Sequence, residues 1–159
     1  MYAHVLDRAG VRAGTSVLDC GCGAGRFVGL AAKRGATVAG IDASGDLVEI
    51  AVERCPQADL QIGDLEELPW PDDSFDVVTG FSSFQFADDH VRAVAEARRV
   101  SRGRIWVVIP TRLAESGIPR VFAALMALFA PQVLPSLQSS GMYACPGRAS
   151  WRMPSPRPD

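Results

Sequence analysis

The chain has 159 residues and a mass of 17.0 kDa, the size of one ordinary domain. Its 48% hydrophobic and 21% charged content is typical of a globular domain and excludes a disordered or collagen-like chain. The longest apolar run, residues 121–130, is about half of the roughly 20 residues that a membrane-spanning helix needs. The N-terminus lacks the basic region and apolar run of a secretory signal. These features predict a cytoplasmic protein without a membrane span.

The formal net charge of −2 is unevenly distributed along the chain. Residues 1–100 carry 16 acidic side chains against 9 basic ones, whereas residues 101–159 carry 7 arginines against 2 acids. Contacts to nucleic-acid phosphates need clustered cations. We therefore expect a protein that does not bind nucleic acid.

Strands and helices are predicted to alternate over most of the chain. In chain order, the predicted elements are a strand at 15–20, a helix at 24–34, a strand at 37–41, a helix from the N-cap Ser44 to Arg54, strands at 58–62 and 75–79, a helix at 90–100 capped by Asp88 and Asp89, a strand at 104–109 and a helix at 120–130. Strands separated by helices pair in parallel, because a parallel neighbour needs a long crossover. The predicted fold is a doubly wound, mostly parallel α/β sheet of about five strands.

Two segments differ from this pattern. Residues 63–74 hold two prolines and are predicted to form a loop. Residues 131–159 hold 6 of the 11 prolines and no sustained periodicity. We therefore predict an α/β core over residues 1–130, followed by an irregular or disordered tail over residues 131–159.

Four cysteines stand at positions 20, 22, 55 and 145, and none forms a C-x-x-C pair. The two histidines, His4 and His90, are distant from them in the sequence. Structural zinc sites use ligands in closely spaced pairs. We expect no metal site and interpret the cysteines as buried, reduced thiols.

The most informative segment is a glycine-rich turn between the first strand and the first helix. Gly21, Gly23 and Gly25 allow backbone N–H groups to approach a ligand closely. A dinucleotide fingerprint needs a third small residue where Arg26 stands. Asp19 would repel a pyrophosphate but suits a ligand with a cationic amino-acid end. The pattern argues against NAD or FAD, and a turn without any ligand is the alternative.

Two further acids follow the next two predicted strands. Asp42 is suited to accept hydrogen bonds from both hydroxyls of a ribose, or only to complement a helix dipole. Asp64 is suited to accept an exocyclic amine while Leu65 covers an aromatic ring, although a surface turn is the simpler interpretation for Asp64 alone. Together with Asp19 they are predicted to lie along one edge of the sheet, where such folds bind ligands.

The sequence resembles the class I S-adenosylmethionine-dependent methyltransferases, in particular the small-molecule group called type 11. The motifs that carry the resemblance are residues 17–25, 40–44, 63–69 and 72–78. The resemblance implies that S-adenosyl-L-methionine is the cofactor and that a small molecule accepts the methyl group. It also implies a cofactor site formed by Asp19, Gly21, Cys22, Gly23, Gly25, Asp42, Ala43, Gly63, Asp64, Leu65, Phe81 and Ser82. In this site Asp19 and the glycine turn face the methionine end, Asp42 the ribose and Asp64 the adenine amine.

The sequence departs from the family pattern at both ends. Residues 101–104 replace the usual Pro-Gly-Gly, fewer than 17 residues precede the first strand, and the tail offers no antiparallel strand pair. These departures predict a cofactor-binding core shortened at both ends, with an incomplete C-terminal sheet edge. An exposed fifth-strand edge favours pairing with a second copy, so a homodimer through this edge is a hypothesis.

No catalytic residue is assigned from the sequence. His90 follows two acids and is interpreted as a surface residue, Tyr2 and His4 as parts of a frayed terminus, and Gln85 as a polar loop residue. The phenylalanines at 81, 84 and 86 either line an apolar pocket or cover the sheet edge. Two functions stay open: a methyltransferase, and a truncated or non-catalytic remnant that binds the cofactor without turnover.

Overall fold

The computed structural model describes residues 1–108, which form one parallel sheet flanked by helices. In chain order its elements are α1 (Tyr2–Arg8), β1 (Ser16–Cys20), α2 (Arg26–Ala32), β2 (Thr37–Asp42), α3 (Gly45–Arg54), β3 (Asp59–Ile62), β4 (Val77–Phe81), a short 3-10 helix (Phe84–Phe86), α4 (His90–Val100) and β5 (Ile105–Val108). The five strands are arranged in the order β3-β2-β1-β4-β5. The predicted doubly wound α/β fold is confirmed.

The strands end together at one edge of the sheet, here called the carboxyl edge. Cys20 pairs with Ile41 on one side and with Gly80 on the other, and Asp42 pairs with Ile62. The chain adds β2 and β3 on one side of β1, and then β4 and β5 on the other. The strand order therefore reverses between β1 and β4, and open α/β sheets bind ligands at such a switch point.

The hydrophobic core lies on both faces of the sheet, because successive strand side chains point to opposite faces. Leu18 and Val78 belong to the cluster that includes the buried face of α4. Val17 and Val77 belong to the cluster that includes α1 and α2, with Phe27 among its fully buried members. The sheet is covered on both faces, as expected for an all-parallel arrangement.

The fourth strand begins two residues later than predicted. β4 starts at Val77, whereas Phe75 forms only an isolated bridge with Ser101. Asp76 is held at this point by Ser16, whose N–H and hydroxyl both donate to its carboxylate at 2.9 Å. The run that predicted a strand at 75–79 therefore includes Asp76, whose side chain bonds Ser16 just before the strand pairing of β4 begins.

The N-terminal segment forms a helix that the sequence analysis missed. Val5 and Leu6 of α1 are buried, and the Tyr2 ring packs edge-on against Phe81 with ring centroids 4.7 Å apart. His4 lies on the same helix and is exposed. The prediction that Tyr2 and His4 belong to a frayed terminus is wrong, because apolar contacts with α2 and β4 hold the helix in place.

Several predictions lie outside the described residues: the last residue of the strand at 104–109, the helix at 120–130 and the tail at 131–159. Within residues 1–108, none of the helices has the length and apolar character needed to cross a bilayer.

Candidate functional site

The glycine-rich turn is attached to the end of β2. The N–H groups of Gly21 and Cys22 donate to the carbonyl of Ile41, at 2.8 and 3.0 Å. Gly21 has a φ of +73°, and a Cβ there would lie 2.3 Å from the Cβ of Ser83. Gly23 has a φ of +52°, and a Cβ there would meet nothing within 4 Å. The turn is therefore closely packed at its first glycine and open at its second.

Asp42, the last residue of β2, connects this turn to α3. One carboxylate oxygen accepts the N–H of Gly23 at 2.8 Å, and the other accepts the N–H of Ser44 at 3.0 Å. Ser44 is the N-cap residue as predicted, but its hydroxyl makes no capping hydrogen bond. Ala43 between them is exposed. Each oxygen of Asp42 keeps a second lone pair for a ligand hydroxyl.

Asp19 lies within β1, opposite Gly40 of β2 and Thr79 of β4. It is 2% exposed, and the Thr79 hydroxyl donates to it at 2.8 Å. Burial raises the pKa of Asp19 to about 8; the Thr79 hydrogen bond opposes this rise and the nearby charge of Asp42 adds to it. Asp19 is therefore a buried carboxyl group that a cationic ligand would help to ionise.

The described cysteines are free and buried, as predicted for Cys20, Cys22 and Cys55. Burial, together with the charges of Asp19 and Asp42, raises the pKa of Cys22 to about 12. A thiol that stays protonated at neutral pH is a poor nucleophile. Cys22 therefore contributes packing at this site. Within residues 1–108, no three His, Cys, Asp or Glu side chains are grouped so that they could hold a metal ion.

Asp64 lies on an exposed turn after β3. Its carboxylate accepts the N–H of Glu66 at 2.9 Å. The turn is attached to β2 through Gly63, whose N–H donates to the Asp42 carbonyl at 3.0 Å. Leu65 is half-buried and packs against the core. The fold thus brings Asp64 to the same edge as Asp42, with its side chain in solvent.

The three phenylalanines at positions 81, 84 and 86 have different surroundings. Phe84 is buried, whereas Phe86 is 80% exposed. Phe81 packs on Tyr2 and on Phe27, each with ring centroids 4.7 Å apart. Ser82 follows with a φ of +56°, and its N–H donates to the Val108 carbonyl at 2.8 Å. Phe81 therefore belongs to an aromatic cluster on the face of the sheet that α1 and α2 cover. On this face it follows Thr79 along β4, and Thr79 pairs with Asp19 of β1.

The segment from Ser82 to His90, here called the β4–α4 connection, contains buried polar groups that sequence analysis did not identify. His90 is only 9% exposed, so its interpretation as a surface residue is wrong. It occupies the first turn of α4 on the same face as Ala93, Val94 and Ala97, which pack on the sheet. The helical spacing of these residues was a signal that could have predicted its burial.

A cavity of about 540 Å³ lies beside α2, away from the predicted site residues. Tyr2, Arg26, Lys33 and Arg54 are among the residues that line it. The Arg54 guanidinium donates to the carbonyl of Ala24 in the glycine turn. This cavity contains none of the twelve residues predicted to form the cofactor site.

Comparisons with known proteins find related sequences. A family model described as a methyltransferase domain matches residues 18–109. A relative named "Probable S-adenosylmethionine-dependent methyltransferase" from Mycolicibacterium smegmatis is 38% identical over 118 residues, covering 73% of this chain and 45% of the relative. A protein from Staphylococcus aureus named demethylmenaquinone methyltransferase is 35% identical over 139 residues, covering 83% of this chain and 56% of that protein.

The solved structures give the same result for the fold. The YcgJ protein from Bacillus subtilis superimposes with a TM-score of 0.58 and 34% identity, covering 63% of this chain and 45% of the other. The chain thus spans about half the length of the curated relatives described above.

Proposed function

The chain belongs to the methyltransferase domain family, and we propose that it binds S-adenosyl-L-methionine at the carboxyl edge and transfers its methyl group to a small-molecule acceptor. The observation that carries this proposal is the position of Asp42. Its carboxylate at the end of β2 is held by the N–H groups of Gly23 and Ser44. A ribose bound there would find an acceptor already oriented beside a glycine turn.

The described residues fit the cofactor in two respects. The space beside Gly23 is open, so a ligand can approach the backbone there. The hydroxyl of Ser83, close to Gly21, is buried and has no hydrogen-bond partner within residues 1–108. Both features are expected of a site that a polar ligand completes.

We assign the twelve predicted residues to three parts of the cofactor. Asp42, with the adjacent Ala43, holds the ribose. Asp64 accepts the adenine amine, and Leu65 and Gly63 border the ring. The methionine end lies against the glycine turn and the end of β4, where the remaining residues are found: Asp19, Gly21, Cys22, Gly23, Gly25, Phe81 and Ser82.

The cofactor supplies, when bound, a methyl group activated by a positively charged sulfur. The protein then has to hold the acceptor in line with that carbon and exclude water, because proximity and orientation provide most of the acceleration of such displacements. The methyl–sulfur bond breaks as the bond to the acceptor forms. Asp19 would favour the cationic end of the cofactor through its charge once it has lost its proton.

The small-molecule acceptor is supported by charge and by relatedness. Residues 1–100 carry 16 acids against 9 basic side chains, a balance that disfavours a polyanion such as nucleic acid. The Staphylococcus aureus relative is named after a small organic acceptor. We further propose a cytoplasmic location, since Cys20, Cys22 and Cys55 are free thiols, as expected in a reducing compartment.

The homodimer hypothesis concerns β5. Within residues 1–108, β5 is the outermost strand on its side of the sheet. An unpaired strand edge is a template for pairing with another chain. Light scattering at increasing protein concentration tests this proposal, and a monomer throughout the range would contradict it.

The decisive test of the proposed function is calorimetric titration of the 159-residue chain with S-adenosylmethionine, S-adenosylhomocysteine and NADH. We expect micromolar affinity for the first two, about −8 kcal/mol, and no heat of binding for NADH. Absence of binding to both sulfur nucleosides would refute the proposal. Binding without methyl transfer to any acceptor in a screen of small hydroxyl, amine and carbon nucleophiles would favour the alternative, a cofactor-binding remnant.

A further inference from the structure

The exposed side of α2 carries two cations beside a cavity. Arg26, Gly29 and Lys33 follow one another at intervals of three and four residues, so they lie on one side of the helix. Phe27 and Ala31 on the other side are buried in the core. Arg26 and Lys33 both line the cavity of about 540 Å³ beside α2. This cavity therefore has a cation near each end of the helix.

Arg54, the last residue of α3, contributes a third cation to this cavity. Its guanidinium donates to the carbonyl of Ala24. Its side chain runs close to Gly29, where a Cβ would lie 3.7 Å from the Arg54 Cγ. These contacts hold Arg54 against α2, so a ligand would find it already positioned. The Ala24 carbonyl is its only side-chain partner within residues 1–108, and the remaining N–H groups of the guanidinium are available to an anion.

The three cations have no acidic partner among residues 1–108. Other cations of the same region are paired, as Arg34 is with Asp7 at 2.7 Å and Arg99 with Glu96 at 2.8 Å. No acidic side chain of the described part of the chain lines the cavity. Residues 1–100 carry only nine basic side chains, and three of them are found here. Uncompensated positive charge around one cavity favours a negatively charged ligand.

Helix stability does not account for Arg26. Lys33 and Arg54 lie at the ends of α2 and α3, where a cation complements the helix dipole. Arg26, by contrast, is the first residue of α2, where a cation opposes the dipole, and the first turn contains no acid to offset it. An anion bound between Arg26 and the other two cations would supply the missing negative charge.

We propose that this cavity binds a soluble small molecule through a phosphate or pyrophosphate group. Three positive charges favour a multiply charged anion over a single carboxylate, and the planar fork of arginine matches the oxygens of a phosphate. The volume lies within the roughly 300–1,000 Å³ that is usual for small-molecule sites. None of the residues assigned to the cofactor lines the cavity, so the proposal does not depend on the proposed function.

Calorimetric titration of the 159-residue chain with inorganic pyrophosphate tests the proposal. We expect sub-millimolar affinity in about 0.15 M NaCl, where charges more than about 8 Å apart are largely screened. Arg26→Gln and Lys33→Gln should each weaken binding about tenfold, because each removes a charge-assisted hydrogen bond. Arg26→Lys should recover only part of this loss, since it keeps the charge without the fork. Both side chains are exposed, and melting temperatures check that the variants stay folded.

Arg12→Gln is the matched control. Arg12 is also exposed and also lacks an ion pair within residues 1–108, but it does not line the cavity. The variant removes the same charge from the chain and should leave the affinity for pyrophosphate unchanged. An equal loss in Arg12→Gln and Arg26→Gln would show only a general attraction of charges and would overturn the proposal.

Three further results would overturn it. The first is no binding of pyrophosphate by the unsubstituted chain. The second is displacement of pyrophosphate by S-adenosylhomocysteine, which would place the anion at the glycine turn. The third is sedimentation of the chain with phosphatidylglycerol vesicles, lost in Arg26→Gln, when pyrophosphate does not bind; the cations would then contact lipid headgroups. Failure of the chain to bind S-adenosylhomocysteine would contradict the proposed function alone.

Discussion

The Thr79 hydroxyl donates a hydrogen bond of 2.8 Å to the Asp19 carboxyl group across the β1–β4 ladder. This is a polar contact in the middle of the sheet, and Asp19 and Thr79 are 2% and 0% exposed. One neutral hydroxyl does not replace the hydration that a carboxylate loses on burial. The protein therefore tolerates an acid here at a cost to its stability, a pattern typical of functional sites.

The cost of burying Asp19 predicts the pH dependence of stability. Its pKa rises from 3.8 in the unfolded chain to about 8 in the folded one, so the folded state binds the proton more tightly. The contribution of this group is most favourable below pH 3.8 and is lost as the pH rises toward 8. The free energy of unfolding should fall between pH 5 and 8, by at most about 1.4 kcal/mol per pH unit from this group.

Asp19→Asn should remove this fall, because the amide does not titrate. Urea denaturation at pH 5 and pH 8 measures the difference, with the exposed Asp46→Asn as control. Equal pH slopes for Asp19→Asn and the unsubstituted chain would show that Asp19 is already ionised in the folded state.

Asp42→Ala should weaken both ligand binding and folding. The change leaves the N–H groups of Gly23 and Ser44 without their acceptor and removes the proposed ribose contact. We expect at least about tenfold lower affinity for S-adenosylhomocysteine and about 1–2 kcal/mol lower stability. Calorimetry and urea denaturation measure the two effects. Asp46→Ala, also at the start of α3, should change neither affinity nor stability to this extent, and an unchanged affinity in Asp42→Ala would remove Asp42 from the site.

Gly21→Ala and Gly14→Ala separate backbone strain from steric crowding. Both glycines have positive φ angles, +73° and +82°, so alanine is strained at each by about 1–2 kcal/mol. A Cβ at Gly21 would also overlap Ser83 at 2.3 Å, whereas one at Gly14 would meet nothing within 4 Å. We expect Gly21→Ala to lose about 1–3 kcal/mol more than Gly14→Ala in urea denaturation. Equal losses would mean that the β4–α4 connection moves freely away from the turn.

The hydrogen bonds of Asp76 predict how the free energy of unfolding falls at acid pH. Hydrogen bonds from the Ser16 N–H, the Arg102 guanidinium and the Ser16 hydroxyl lower its pKa from 3.8 to about 2. Its contribution is therefore present above pH 3.8 and is lost as the pH falls through about 2. Asp76→Asn should unfold less steeply with acid between these values, as monitored by circular dichroism. The exposed Asp88→Asn should retain the slope of the unsubstituted chain; a parallel shift of both variants would argue against a special role of Asp76.

Sequence reasoning predicted the parts of the fold that depend on short-range patterns. The alternation of apolar runs with turn residues located all five described strands, and the residues around Ser44 and Asp89 correctly predicted the starts of α3 and α4. The same reasoning misplaced β4 by two residues and missed α1. In both cases the outcome depends on partners distant in sequence: Ser16 for Asp76, and Phe81 for Tyr2.

For the candidate site, too, local patterns predicted some features, and others depend on contacts between distant parts of the chain. The glycine turn and the acids Asp19, Asp42 and Asp64 were identified from their spacing relative to strands, because a parallel sheet brings successive carboxyl ends to one edge. The burial of Asp19 against Thr79, the attachment of Asp42 to Gly23 and the packing of Ser83 on Gly21 join residues 19 to 62 positions apart.

Local periodicity and glycine spacing were enough to predict the fold class of this protein and to bring three acids to the carboxyl edge of its sheet. The three-dimensional packing was needed to show that Asp19 is buried, that Asp42 accepts two backbone N–H groups and that Asp64 is exposed. Solvation and side-chain packing are set by distant chain segments, and no local pattern records them.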